Sequence, residues 1–348
     1  MIAAKYTQGG GFKVTDTDKP AIMEDEILVR VMASSICGTD LRIIKNGHRK
    51  LQEGQTITLG HEFSGVVAAR GSRVTHLAVG ARVGVAPNIG CGHCDACIRG
   101  LTNMCPEYQA FGITMDGAHC EYLRVPAAAI QQGNVVLLPD ELSFNAASLI
   151  EPLSCVVNGI RSCRIGLGET VVVFGAGPIG LMHIMLANLS GAGKVIAADV
   201  HPHRLEQAKR VGADIIINNR EEDAREILLH ATGNAGADVV ITAASAASLQ
   251  EEAIGLLAPL GRVCFFGGLP ANQKVPLDTN AIHYKNLTVT GVTGGSPFDY
   301  RTAMKLIAGG RVPTEPIISH VFCADEMQTA FDTALGGGAM KVVVQATA

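Results

Sequence analysis

Four cysteines crowd into one short loop, Cys91-Gly-His-Cys94-Asp-Ala-Cys97 and then Cys105, with the spacing C-x2-C-x2-C-x7-C. Zinc takes four soft ligands in a tetrahedron, and short Cys spacings let a single loop wrap the ion. Four protein ligands leave no position open for water or substrate, so this lobe is read as a structural metal cage. A disulfide cluster fits poorly with a chain that carries no export signal. Cys105-Pro106 resembles a ferredoxin ending, but the bacterial ferredoxin run places three residues before its last Cys, and here there are seven.

Composition narrows the class. The 348 residues allow two domains with proper cores, and 47% hydrophobic against 17% charged residues describes a globular chain. A net charge of −4 and the absence of Trp argue against nucleic acid as a partner. No apolar run of transmembrane length is unbroken, so no membrane partner is expected. The N-terminus lacks the pattern of a signal peptide. With ten cysteines, this favours a reducing compartment, and the cytoplasm is the expectation.

Along the chain, Glu26-Ile-Leu-Val-Arg-Val-Met reads as a strand that delivers Cys37 into a cleft. Short Val-rich runs separated by Gly continue to about residue 125 and suggest a compact antiparallel barrel-like domain. Residues 143–162 read as helical on either side of Pro152. From Thr170 the pattern changes to strands alternating with helices: Thr170–Phe174, Lys194–Asp199, Asp214–Ile217, Asp238–Thr242 and Arg262–Phe266 as strands, and residues 286–292 as another. That alternation predicts a doubly wound parallel sheet, an α/β fold. Helices over 299–308 and 325–335 and a strand over 341–345 follow. The last strand needs an existing sheet to join.

The first of those strands ends in Gly175-Ala-Gly177-Pro178-Ile179-Gly180 and opens a helix. The glycines permit a tight turn and a close backbone approach to a pyrophosphate, which the free N–H groups of the helix start would face. Asp199 ends the next strand, nineteen residues after Gly180. An acid there binds the adenosine ribose hydroxyls and repels a 2′-phosphate, which favours NAD over NADP. Arg204, five residues on, offers the opposite preference.

Cys37, His61, Glu62 and Glu151 remain as residues with ligand chemistry, but spacing alone does not bring them together. Cys37-Gly-Thr-Asp40, Gly60-His-Glu-Phe-Ser-Gly65, the cysteine lobe, Glu151-Pro152 and the Gly175–Gly180 turn stand in one order along the chain. In that order they resemble the zinc-dependent medium-chain dehydrogenases/reductases, and within them the polyol and sorbitol dehydrogenase branch.

The resemblance implies a discontinuous GroES-like catalytic domain, 1–153 and 294–348, around a Rossmann NAD-binding domain, 154–293. It implies two zinc ions per subunit. Cys91, Cys94, Cys97 and Cys105 match the structural ligands. Cys37 and His61 match the firm catalytic ligands. Glu62 matches a carboxylate that binds the metal or sits just behind it, and Glu151 stands where polyol-type enzymes place a Glu. Thr39 matches the hydroxyl that relays the alcohol proton as hydride passes to NAD.

The expected activity is oxidation of a secondary alcohol of a polyol or sugar-derived substrate to a ketone. Sugar acids, sugar-alcohol phosphates and L-threonine are the alternative substrates. An NAD- and zinc-binding sensor without activity is the non-enzyme alternative. A homodimer or homotetramer is expected by analogy. Two departures stand out: Arg42 lies where relatives carry a relay His, and His119 replaces an apolar residue. Arg42, Lys45, His48, Arg49 and Lys50 form a basic cluster that reads either as an anion-receiving element or as a solvated loop face.

Overall fold

The computed structural model describes residues 1–270 and 272–347. The chain divides into two compact units, Met1–Ser154 with the segment from Gly294 onward, and Cys155–Thr293.

The second unit is built on six parallel strands in the order Ile215–Asn218, Lys194–Asp199, Thr170–Phe174, Ala237–Thr242, Leu257–Phe265, Thr288–Gly291. This is the strand order of a dinucleotide-binding sheet, with the topological reversal beside Thr170–Phe174. Val171, Val172, Val173 and Phe174 are all buried, as a strand covered on both faces requires. The expected doubly wound α/β sheet is present. Its fifth strand begins at Leu257, earlier than the pattern predicts, because Leu260 takes a positive φ of 66° and lets the strand continue through Pro259-Leu-Gly261.

The first unit is β-rich. Its larger sheet runs Val135–Leu137, Arg82–Val85, Glu62–Arg70, Ile27–Ser35, Lys341–Gln345, Ile318–Cys323, with Tyr122–Val125 also pairing Ile27–Ser35. Lys341–Gln345 lies antiparallel to Ile27–Ser35, with Val343 opposite Ser35. The C-terminal strand thus finds its sheet in the N-terminal part of the chain. Phe63, Val67, Val83, Val85 and Phe111 form part of the core behind the sheet. Pro152 does not break the helix Ile150–Cys163, since it falls in its first turn, where a missing N–H costs nothing.

One helix escapes the sequence pattern. Gly38–Asn46 is helical, so Arg42 and Lys45 of the basic cluster sit on a helix and not on a loop. Its apolar face is short, with Ile43 the one fully buried aliphatic residue, which is too little periodicity to read.

Candidate active site and metal centres

In the cysteine lobe, Cys94 Sγ and Cys105 Sγ lie 3.8 Å apart and Cys91 Sγ and Cys97 Sγ 4.0 Å apart. All four sulfurs lie within 4.8 Å of one another, and none forms a disulfide. A tetrahedral zinc with ~2.3 Å bonds to sulfur sets sulfur–sulfur edges of about 3.8 Å. The lobe therefore has the dimensions of the ion. Burial and the neighbouring sulfurs push Cys97 up to about 12, while the backbone N–H groups of His93 and Cys94 draw Cys91 down to about 6. Four thiolates at this spacing repel, and a divalent cation between them removes the repulsion. Gly90 is required beside them, since a Cβ there would collide with Cys97 Sγ. Replacing Cys94 with Ser should remove one metal equivalent per chain, read by metal analysis after dialysis. Unchanged stoichiometry would deny the lobe its role.

The second cluster joins Cys37, His61 and Glu62, again with ligand atoms within 4.8 Å of one another. Cys37 caps the helix Gly38–Asn46, and His61 and Glu62 stand at the start of the strand Glu62–Arg70. Asp40 lies behind them, fully buried. Its Oδ2 accepts from Cys37 N at 2.9 Å, its Oδ1 accepts from Gly60 N at 3.3 Å, and His61 Nδ1 is 3.6 Å from Oδ1. The last distance is too long for a formed hydrogen bond, and His61 Nδ1 is a buried nitrogen with no partner. Metal-ligating histidines turn one nitrogen to the ion and the other to a carboxylate. An Nδ1 aimed at Asp40 fits that arrangement and leaves Nε2 for a metal. Burial alone would raise Asp40, but His61 and His119 beside it hold the carboxyl well below the usual range.

Glu62 faces away from an open ligand role. Lys341 Nζ donates to both its oxygens, at 2.8 and 2.6 Å, and Ser35 Oγ donates to Oε2. The carboxylate is fully buried and turned toward the C-terminal strand. Glu151, also buried, stands outside the three-residue cluster. It faces the phenol of Tyr300, which burial and the Glu151 charge push far up, and the ammonium of Lys341.

Thr39 Oγ1 accepts from Arg42 Nη2 at 3.1 Å. A guanidinium cannot take a proton, so Arg42 fixes the Thr39 hydroxyl without replacing a relay His. His48, half-buried, is held below its ordinary value by burial and by the Arg49, Arg42 and Lys50 charges.

The sequence reading gave no role at the cluster to Asp40, Ser35 or Lys341, and it marked His119 only as a departure from an apolar position. Asp40 carried a signal, an acid three residues after Cys37 at the start of a helix. Lys341 carried another, as the one charge opening an otherwise apolar strand.

In the second unit, Gly175 has φ +96°, and a Cβ on Gly180 would collide with the Gly175 carbonyl. A Cβ on Gly177, the cap of the helix Pro178–Leu189, meets nothing within 4 Å. The first two positions demand glycine for the turn and for packing. The third keeps open space over the helix start, as a pyrophosphate needs. Asp199 is held by three N–H donors, Ala176 to Oδ2 at 2.7 Å and Val200 and His201 to Oδ1 at 2.7 and 2.9 Å. It lines a cavity of about 790 Å³ together with Gly175, Val200, Arg204 and Asn219.

A dinucleotide sheet in one unit, a β-rich unit with a closed four-sulfur cage and a second Cys–His–Glu cluster in the other together define an NAD-linked, zinc-dependent oxidoreductase. Residues 178–309 match the zinc-binding dehydrogenase family, and residues 23–140 match the alcohol dehydrogenase GroES-like domain. The chain belongs to the zinc-binding medium-chain dehydrogenases/reductases of the alcohol dehydrogenase superfamily. It is 34% identical to a sorbitol dehydrogenase of Bacillus subtilis, over 96% of this chain and 94% of that one. It is 36% identical to an L-threonine 3-dehydrogenase of Pyrococcus horikoshii, over 99% and 98%. Among solved structures, a protein of Sinorhizobium meliloti 1021 bound to NADP superposes with a TM-score of 0.91, at 32% identity over 99% and 98%. Among the described residues no helix is long and apolar enough to cross a membrane.

Proposed function

We propose that this dehydrogenase oxidises a secondary alcohol that carries an anionic group, with L-threonine, a sugar acid or a sugar-alcohol phosphate as the substrate class. The observation that carries this is Arg42. Its guanidinium rests on the Thr39 hydroxyl, two residues from Cys37. A fixed positive charge beside the reacting alcohol suits a carboxylate or phosphate, which Arg binds bidentately. It does nothing for a neutral hexitol. The similarity to an L-threonine 3-dehydrogenase over almost the whole chain supports the same choice, whereas the similarity to a sorbitol dehydrogenase favours neutral polyols.

Cys37 and His61 would hold the catalytic zinc, with Glu62 behind them and Glu151 nearby, and Cys91, Cys94, Cys97 and Cys105 the structural one. Gly175–Gly180 and Asp199 would hold the dinucleotide, with Asp199 selecting NAD although a relative binds NADP. When bound, the metal would supply Lewis-acid chemistry at the alcohol and the dinucleotide a hydride acceptor. Thr39 Oγ would accept the alcohol proton while passing its own hydroxyl proton on, by way of the cofactor ribose or His48, to solvent. Arg42 orients that hydroxyl and receives the anionic group of the substrate. Glu62 and Lys341 neutralise one another, so the pair adds no net charge to the site.

Reduction of NAD and of NADP by zinc-loaded protein should be followed against L-threonine, aldonates, hexitol phosphates and neutral hexitols. Turnover is expected with an anionic member, and with NAD in preference to NADP. Arg42→Ala should then raise KM for that substrate about ten- to a hundredfold, the range of a lost charged hydrogen bond. Turnover of neutral polyols alone, with KM indifferent to Arg42, would return the assignment to a polyol dehydrogenase.

A further inference from the structure

We infer that His119 is a positioning residue for the metal centre, one link behind Asp40. The chain of contacts is Ser34 Oγ to His119 Nδ1 at 2.9 Å, His119 Nε2 to Asp40 Oδ2 at 3.3 Å, and Asp40 Oδ1 to His61 Nδ1 at 3.6 Å. Every member is buried, with Ser34 at 2%, His119 at 0%, Asp40 at 0% and His61 at 4% exposure. Water cannot substitute for a missing partner there.

The chemistry fixes the direction of the chain. Asp40 is an acceptor only, so His119 Nε2 must carry the proton and donate to it. His119 Nδ1 is then the acceptor, and Ser34 Oγ–H donates. Asp40 fixes this tautomer, since a serine hydroxyl can either donate or accept and follows the ring. Asp40 accepts from the backbone N–H groups of Cys37 and Gly60, and the His61 ring faces its Oδ1 at 3.6 Å. His119 supplies the side-chain donor and holds the carboxylate from behind.

The backbone around His119 is as fixed as its ring. His119 N donates to Leu59 O at 2.8 Å, and Ala4 N donates to His119 O at 2.8 Å. The ring stands edge-on to Phe331, with centroids 5.1 Å apart. Gly60, next to His61, has φ +100°, and a Cβ there would lie 2.6 Å from His119 N and 2.7 Å from its Cγ. The imidazole occupies the space that this glycine leaves. An apolar ring at 119 would keep the packing on Phe331 and give Asp40 nothing. Asp40 would keep its two backbone donors and lose the one from a side chain, so the carboxylate, and with it the imidazole it faces, would be held less tightly.

The inference rests on a metal held by Cys37 and His61. The test is metal retention and spectroscopy, not turnover alone. Parent, His119→Phe and His119→Gln proteins are loaded with zinc or with cobalt(II) and challenged with a chelator. The parent should hold two equivalents per chain. His119→Phe should release the Cys37–His61 equivalent about tenfold more readily, the lower end for an outer-sphere ligand contact. Its cobalt d–d bands should shift. The equivalent in the cysteine lobe should stay at parental affinity and so report an intact fold. His119→Gln, whose amide can still donate toward Asp40, should stay within about threefold of the parent.

Parental retention and an unshifted cobalt spectrum in His119→Phe would overturn the inference. So would equal losses in the Phe and Gln variants, because shape and not the donor would then be what matters. A parent that binds one equivalent only would remove the Cys37–His61 site itself, a different failure with a different readout. If the Phe variant does not fold, His119→Leu makes the same test with a smaller apolar side chain. It also removes the donor to Asp40, and it should give the same release and the same band shift. Parental behaviour of His119→Leu would equally overturn the inference.

Discussion

Cys37→Ala should lower kcat/KM by at least about 10³-fold, roughly 4 kcal/mol of transition-state stabilisation, while dinucleotide affinity stays within about twofold of the parent. The two halves of this expectation come from different places in the chain. Cys37 sits in the first unit at the cap of Gly38–Asn46, with its sulfur within 4.8 Å of ligand atoms of His61 and Glu62. The change removes that sulfur and leaves its N–H, which still donates to Asp40, so the cap and the buried carboxylate survive. Glu62 cannot take over, because Lys341 and Ser35 occupy both its oxygens. Gly175–Gly180 and Asp199 belong to the second unit and are not among the residues that this change touches. Metal analysis should fall from two equivalents to one, and dinucleotide titration should be unchanged. Loss of dinucleotide binding together with turnover would make Cys37 a structural residue. Full turnover would remove it from the site.

Much of this was legible in the sequence because it is written in short-range chemistry. The cysteine lobe is four ligands on one loop. The Gly175–Gly180 turn is a strand end, a helix start and three glycines in six positions, and the doubly wound sheet was read from the alternation of apolar runs that follows. The Cys37–His61 cluster is different. Its members lie at a helix cap and at the start of a strand 24 residues on, brought together by a fold the sequence does not print, so only the joint order of motifs pointed to it. What stayed hidden was the outer layer. His119 and Lys341 reach the cluster from positions 58 and 280 residues away from His61. Nothing local marks a His between Ala118 and Cys120 as a donor to Asp40. Helix Gly38–Asn46 was hidden for another reason. It packs one full aliphatic face residue and otherwise carries polar and basic groups, so its charges read as a loop.

Lys341→Met should cost about 3–5 kcal/mol of stability, the range for removing one partner of a buried ion pair. Lys341 is 5% exposed and sits in the strand that closes the first unit's sheet. Its ammonium satisfies both oxygens of Glu62 and also donates to Ile36 O at 3.3 Å. Met matches its length and apolar stem, so the loss reads the charge and not a cavity. Glu62, fully buried, would be left with Ser35 as its hydrogen-bond donor. Burial by itself pulls the Lys341 pKa down, but Glu62 offsets this and leaves it raised above the ordinary lysine value. A raised pKa means that the lysine's contribution is fully present below the unfolded lysine value and is lost only as pH climbs through the raised one. The penalty in Lys341→Met should therefore be the same at neutral and mildly alkaline pH, measured by urea unfolding of metal-loaded protein. The double change Glu62→Met with Lys341→Met should recover most of the stability, since two apolar side chains replace the pair without an orphaned charge. A single variant as stable as the parent would show that Glu62 finds another partner, and a double variant as unstable as the single would place the cost in packing.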